Sequence, residues 1–270
     1  MSGLTKIRHV NIAAADLDAL KKAVKALEHQ SLASRLTKLI GKQVSFAAKV
    51  IPQGVADMIT GATVQALKLG LRAVLASVEN RPQDASSFLH KALAAASGAA
   101  GGVFGAASLP VELPVSTTIM LRSIADIARS EGEDLSKPEA ALACIEVFAL
   151  GGQSDEALEG GYFAMRAFLA TSVTDAAKFI IRKGAADQSA PVIVRFISQI
   201  AARFGIVVSE KVAAQAIPIV GALGGAVVNY AFIDHFQRIA RGHFIVRRME
   251  RLYGAELVKK EYERLKAEVF

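Results

Sequence analysis

The stretch Ser136-Lys-Pro-Glu-Ala-Ala-Leu-Ala-Cys-Ile-Glu-Val-Phe-Ala-Leu-Gly-Gly152 decides the fold class. Ser136 and Glu139 stand three apart, the spacing of a capping box. In that motif the hydroxyl accepts from the amide three residues on, and the glutamate reaches back. The spacing predicts a helix running to about Leu150 and stopped by Gly151-Gly152. The same grammar recurs on both sides. Upstream, Leu17, Leu20, Val24 and Leu27 keep a helical period over residues 16–30. Ser31 is placed to cap a helix reaching Leu39, with Gly41 to end it. A further run over residues 55–78 follows Pro52 and Gly54 and closes at Asn80-Arg-Pro82. Downstream, Ser154 is placed to cap a helix carrying Phe163, Phe168 and Leu169. Helices are expected over residues 174–182, 189–204 and 209–217, and residues 255–270 read as a charged amphipathic helix. No Asn-Gly hairpin and no alternating strand pattern interrupts them. The expected fold is all-α, a multi-helix bundle.

Composition bounds the rest. The chain has 270 residues, 52% apolar and 21% charged, which excludes intrinsic disorder. Its mean hydropathy of +0.35 is high for a soluble protein. Cys144 stands alone, so no internal disulfide and no cysteine-based zinc site forms, and a reducing cytoplasm fits. Arg8, Asp16 and Asp18 interrupt the start, against a secretory leader. The net charge of +7 points to an anionic membrane surface, to nucleic acid or to solubility alone. Three units are expected: an N-terminal helical arm over residues 1–45, a helical domain over 46–254 and the charged helix over 255–270.

Two stretches stand apart. Residues 92–111 and 212–233 carry no charge over 20 and 22 residues, the length of a membrane span. Each has small residues four apart: Gly98 with Gly102, Gly101 with Gly105, and Gly221 with Gly225. Such spacing lets helix backbones approach closely, so the two stretches are expected to pack together through Gly102 and Gly225. The first is mainly Ala, Gly and Ser, which gain little from lipid. A buried hairpin or surface attachment therefore fits better than a true span.

The stretch Gly105-Ala-Ala-Ser-Leu-Pro-Val-Glu-Leu-Pro-Val-Ser-Thr-Thr-Ile-Met-Leu-Arg-Ser-Ile-Ala-Asp-Ile-Ala-Arg-Ser-Glu-Gly132 resembles the signature of the EcsC protein family. Two later blocks, Pro218-Ile-Val-Gly-Ala-Leu-Gly-Gly-Ala-Val-Val-Asn229 and Ala240-Arg-Gly-His-Phe-Ile-Val-Arg-Arg-Met-Glu250, are similar to its C-terminal half. The resemblance spans most of residues 50–254. It implies a bacterial helical protein linked to membranes, with a transporter component as a partner, and no assigned catalytic site.

The candidate chemistry is sparse. Glu112 lies between Pro110 and Pro114, so an extended, fixed turn is expected there. Its carboxylate reads as a general base, or as a helix-cap partner or an ion pair with Arg122. Arg122, Asp126 and Arg129 share a helix face, as an anion clasp or an ordinary ion-pair ladder. His235 and His243 are eight apart, about 80° around a straight helix, and would share a metal only with a bend at Gly242. Arg241, Arg247, Arg248 and Arg251 form a basic cluster interleaved with Phe244, Ile245 and Met249. That pattern suits an anionic membrane surface, unless the arginines pair with Glu250, Glu256 and Glu261. No reader module surrounds them, so nucleic acid is not an expected partner. No phosphate loop, dinucleotide fingerprint or nucleophile elbow occurs, so no cofactor and no resident metal are expected. The leading expectation is a non-enzymatic cytoplasmic protein, peripheral to the inner membrane, binding lipid or an apolar ligand through Arg122, Arg129, Arg241, Arg247, Arg248 and Arg251. The alternative is a metal-dependent hydrolase with Glu112, Asp126 and His243 as catalytic groups.

Overall fold

A computed structural model describes residues 12–28, 31–40, 51–78, 109–152, 161–184, 187–215 and 221–270. Among them are nine helices: α1 (Ala14–Glu28), α2 (Leu32–Ile40), α3 (Gln53–Val78), α4 (Leu109–Ser130), α5 (Pro138–Leu150), α6 (Gly161–Lys183), α7 (Pro191–Gln215), α8 (Gly221–Tyr253) and α9 (Ala255–Val269). No strand occurs among the described residues, and the all-α expectation holds.

The helix that decided the fold class is also its centre. Every residue of α5 from Ala140 to Leu150 is buried, and α5 touches α3, α4, α6, α7 and α8. A helix apolar on all sides has to be enclosed by others. Phe148 of α5 meets Phe204 of α7 and Phe236 of α8 at ring separations of 4.8 and 5.3 Å, and Phe232 completes the cluster. Helix α7 is the one described helix long and apolar enough to cross a membrane, but it packs on α2, α3, α5, α6 and α8. It reads as the second core helix of the bundle.

Several boundaries differ from the sequence reading. The capping box does not form, because Ser136 donates its hydroxyl to Asp134 at 2.6 Å and its amide to the same oxygen. The cap is Lys137, and Pro138 takes the first helical position, where a missing N–H costs nothing. The two helices expected over residues 189–204 and 209–217 fall, as far as they are described, in one helix, α7 (Pro191–Gln215). The Ser209 hydroxyl is satisfied by the Gly205 carbonyl at 2.8 Å and does not start a new element. Residues 174–182 likewise continue α6. Of the uncharged stretch 212–233, the residues to Gln215 belong to α7 and those from Gly221 to α8. The other stretch, up to residue 108, and the Ser154 cap lie outside the described residues, and so does the Gly102–Gly225 contact.

Pro110 and Pro114 lie inside α4, not in an extended turn. Pro110 falls among the first four residues, whose amides are free in any helix. Pro114 forfeits only the bond to the Pro110 carbonyl, one turn from the end. Gly242 does not bend α8 either. A Cβ there would sit 2.7 Å from Leu27 Cγ and 3.2 Å from the Ala23 carbonyl, so its role is the close crossing of α1 on α8.

Candidate functional site

The start of α4, the last turns of α7 and the third turn of α8 meet around a buried lysine. The side chain of Lys211, near the C-terminus of α7, is 1% exposed. Its ammonium donates to Glu112 Oε1 in the first turn of α4 at 2.6 Å and to Asn229 Oδ1 of α8 at 3.2 Å. It also lies 4.7 Å from the centre of the Phe232 ring, close enough for a cation–π contact. A buried cation needs such partners, because its desolvation is costly without them. Glu112 is paired with a basic side chain, as its position suggested, but the partner comes from α7. Arg122 is exposed and has no acidic partner among the described residues. Exposed apolar residues neighbour the pin in sequence. Val111 adjoins Glu112, while Val227 and Tyr230 flank Asn229, and they are 61%, 43% and 71% exposed. The uncharged residues 92–108 lead by chain connectivity into α4 here, and residues 216–220 into α8.

A second polar group is sealed inside. Glu28 at the end of α1 accepts from the Tyr162 amide at 3.0 Å and the Tyr262 hydroxyl at 2.9 Å, and it pairs with Lys266 at 2.9 Å. The Tyr162 hydroxyl bonds His243 Nδ1 at 2.9 Å, and His243 Nε2 is buried with no partner. Burial holds the His243 ring neutral, far below its usual range, and the Arg166 and Arg247 guanidinium groups push the same way. Burial also raises the Glu146 carboxyl, against the pull of those two arginines. Arg166 clasps Glu250 in a two-bond fork at 2.7 and 3.1 Å. These groups hold α1, α5, α6, α8 and α9 together.

His235 performs a similar task. Its Nε2–H donates to the Gly151 carbonyl at 2.8 Å, tying α8 to the end of α5. Burial lowers its pKa to about 4. The folded state thus holds His235 neutral where the unfolded chain binds a proton. The stability gained is present above pH 6.5 and is lost as pH falls toward 4. The full loss is about 3 kcal/mol, at roughly 1.36 kcal/mol per pKa unit. Buried His243 adds a loss of the same sign in both proteins, so urea unfolding across pH 7 to 4 is expected to show a shallower slope in His235→Gln than in the wild type, the difference being the His235 contribution.

The three residues proposed for hydrolysis fall in three places. Glu112 holds Lys211, Asp126 holds Arg129 at 2.9 Å on an exposed face, and His243 lies against Tyr162 in the core. Among the described residues no three His, Cys, Asp or Glu side chains could share a metal ion. Asp126 and Arg129 form an ordinary i, i+3 pair.

Three arginines of the α8 cluster are held by carboxylates. Arg247 forks onto Glu133 at 2.8 and 3.0 Å, and Arg251 bonds the same carboxylate. Arg248 bridges Glu131 and Asp16 at 2.8 and 3.0 Å. Phe244 and Met249 are fully buried, and of the four arginines Arg241 alone has no acidic partner among the described residues. The acidic partners come from the α4–α5 turn and from α1, not from Glu256 or Glu261. Burial would raise the Glu133 carboxyl, but the bonds from Arg247 and Arg251 win and hold it below its usual range. Sequence reading missed Lys211, Tyr162 and Glu28, whose hydrogen-bond and ion-pair partners, Asn229 apart, lie 81 residues or more away. The one available signal was that Lys211 borders the uncharged stretch that begins at Val212.

A family model described as the EcsC protein family matches residues 14–249. No curated protein and no solved structure matches the chain. The match begins at α1, further toward the N-terminus than the blocks that carried the resemblance. Helix α9, whose Tyr262 and Lys266 hold Glu28, lies beyond it.

Proposed function

We propose that this chain, which belongs to the EcsC protein family, is a non-enzymatic protein that attaches to a membrane by the Lys211 end of its bundle. The observation that carries the reading is the meeting of Glu112, Lys211 and Asn229 beside the exposed Val111, Val227 and Tyr230. In the sequence, the uncharged residues 92–108 run directly into α4 and the uncharged residues 216–220 into α8. Exposed apolar side chains such as these favour an apolar phase, at about 25 cal/mol per Å² buried. The attachment is peripheral, since α7 and α8 are occupied with packing inside the bundle.

Flotation with vesicles of equal parts phosphatidylcholine and phosphatidylglycerol tests it. The wild type is expected to float with the vesicles. The triple variant Val111→Asp, Val227→Asp, Tyr230→Asp changes only exposed side chains and is expected to lose at least tenfold in binding. Equal flotation of the two proteins, or none by the wild type, would overturn the reading.

A further inference from the structure

The face formed by α6 and α7 holds a groove of about 470 Å³, lined by Phe168, Arg195, Ser198, Gln199, Arg203 and Ile206. That volume is in the range that holds a small ligand. Its contents are of two kinds. Phe168 stands 54% exposed, and with Ile206 it offers apolar wall. Arg203 has no acidic partner among the described residues, unlike Arg247, Arg248 and Arg251. Arg195 pairs with Asp175 at 2.5 Å on the exposed surface, where such a pair is weak. The Gln199 carboxamide oxygen is buried there without a hydrogen-bond partner. Beyond the groove, Lys178, Arg182 and Lys183 of α6 are exposed and lack acidic partners among the described residues. The face is therefore basic as well as apolar, a combination suited to one kind of occupant.

We infer that this groove binds a single anionic phospholipid, its phosphate between Arg195 and Arg203 and an acyl chain along Phe168 and Ile206. A guanidinium with no carboxylate of its own is a natural partner for a phosphodiester, which accepts two bonds from its fork. Position agrees with chemistry. Ile206 lies five residues from Lys211, about 8 Å along α7, and Arg195 about 24 Å, at roughly 1.5 Å per residue. The apolar wall is thus nearer the end proposed to meet the membrane, and the phosphate contacts are farther from it. The inference rests on the membrane reading and deepens it by naming the lipid.

The chain has no tryptophan, so Phe168→Trp places one reporter in the groove. Three probes are used with it: vesicles of equal parts phosphatidylcholine and phosphatidylglycerol with brominated acyl chains, monomeric dihexanoyl phosphatidylglycerol, and inorganic phosphate. Emission from the introduced indole is expected to shift to the blue and to be quenched by the brominated vesicles. Arg203→Gln in the same background, its fold checked by circular dichroism, is expected to weaken binding of the monomeric lipid at least fivefold. Vesicle flotation without quenching of the indole would overturn the inference while leaving the membrane reading in place. Binding of the monomeric lipid without flotation would support the groove and overturn the membrane reading. A response to inorganic phosphate equal to that of the lipid, or one unaffected by Arg203→Gln, would also overturn the inference.

Discussion

Gly152→Ala is expected to destabilise the protein by about 3 kcal/mol or more, at or above the upper end of ordinary overpacking. A Cβ at residue 152 would lie 2.2 Å from the Arg203 carbonyl oxygen and 2.6 Å from its carbon. Both atoms belong to the backbone of α7, in its packed middle. No rotamer change can relieve the contact, so α7 must move or the turn after α5 must open. Either response disturbs the Phe148, Phe204 and Phe236 cluster next to it. Gly61→Ala supplies the control. Gly61 is exposed on α3 with nothing near the added methyl, and the change is expected to stabilise by about 0.5–1 kcal/mol. Denaturant unfolding of both variants measures the contrast. A Gly152→Ala protein as stable as the wild type would mean that α5 and α7 do not approach as described.

Glu112→Ala is expected to cost about 3 kcal/mol, near the lower end for breaking a buried ion pair. The lower end applies because the Glu112 side chain is 21% exposed and Lys211 keeps Asn229 and the Phe232 face. Glu112→Gln retains an acceptor and is expected to cost less than Glu112→Ala. The informative comparison is the double variant Glu112→Leu, Lys211→Met, which removes both charges. It is expected to return to within about 1 kcal/mol of the wild type, since an apolar pair of similar size needs no desolvation. A double variant as unstable as Glu112→Ala would show that Lys211 carries weight beyond its pairing.

Much of this fold could be read from local pattern. The periods in α1, α3 and α5 and the Ser31 cap reflect forces acting within one turn. Ser31 does accept from the Ser34 amide at 3.2 Å. The joins were less legible. Ser209 and the prolines of α4 look like interruptions, but the Gly205 carbonyl takes the Ser209 hydroxyl, and the prolines fall in the first two turns, where little hydrogen bonding is lost. The site was harder still. Glu112 announced itself by its flanking prolines, but its partner Lys211 is 99 residues on. The arginines of α8 resemble a membrane patch because sequence shows their apolar neighbours. It does not show that Glu131, Glu133 and Asp16 fold over them. Conversely, Arg203 and Phe168 looked ordinary, and only the packing of α6 on α7 makes them walls of one groove.

The central claim, that the Lys211 end meets the membrane, is tested most directly by depth. Cys144 is buried, and burial raises its thiol to about 12, so a single introduced cysteine takes the label selectively. Tyr230→Cys and Leu252→Cys both lie at exposed positions of α8, 71% and 60%. The two positions are about 33 Å apart along the helix, at roughly 1.5 Å per residue. Each variant carries the same fluorophore and is mixed with phosphatidylglycerol vesicles containing nitroxide-labelled acyl chains. The account predicts strong quenching of the label at residue 230 and little at residue 252. Equal quenching at the two positions, or stronger quenching at residue 252, would contradict it.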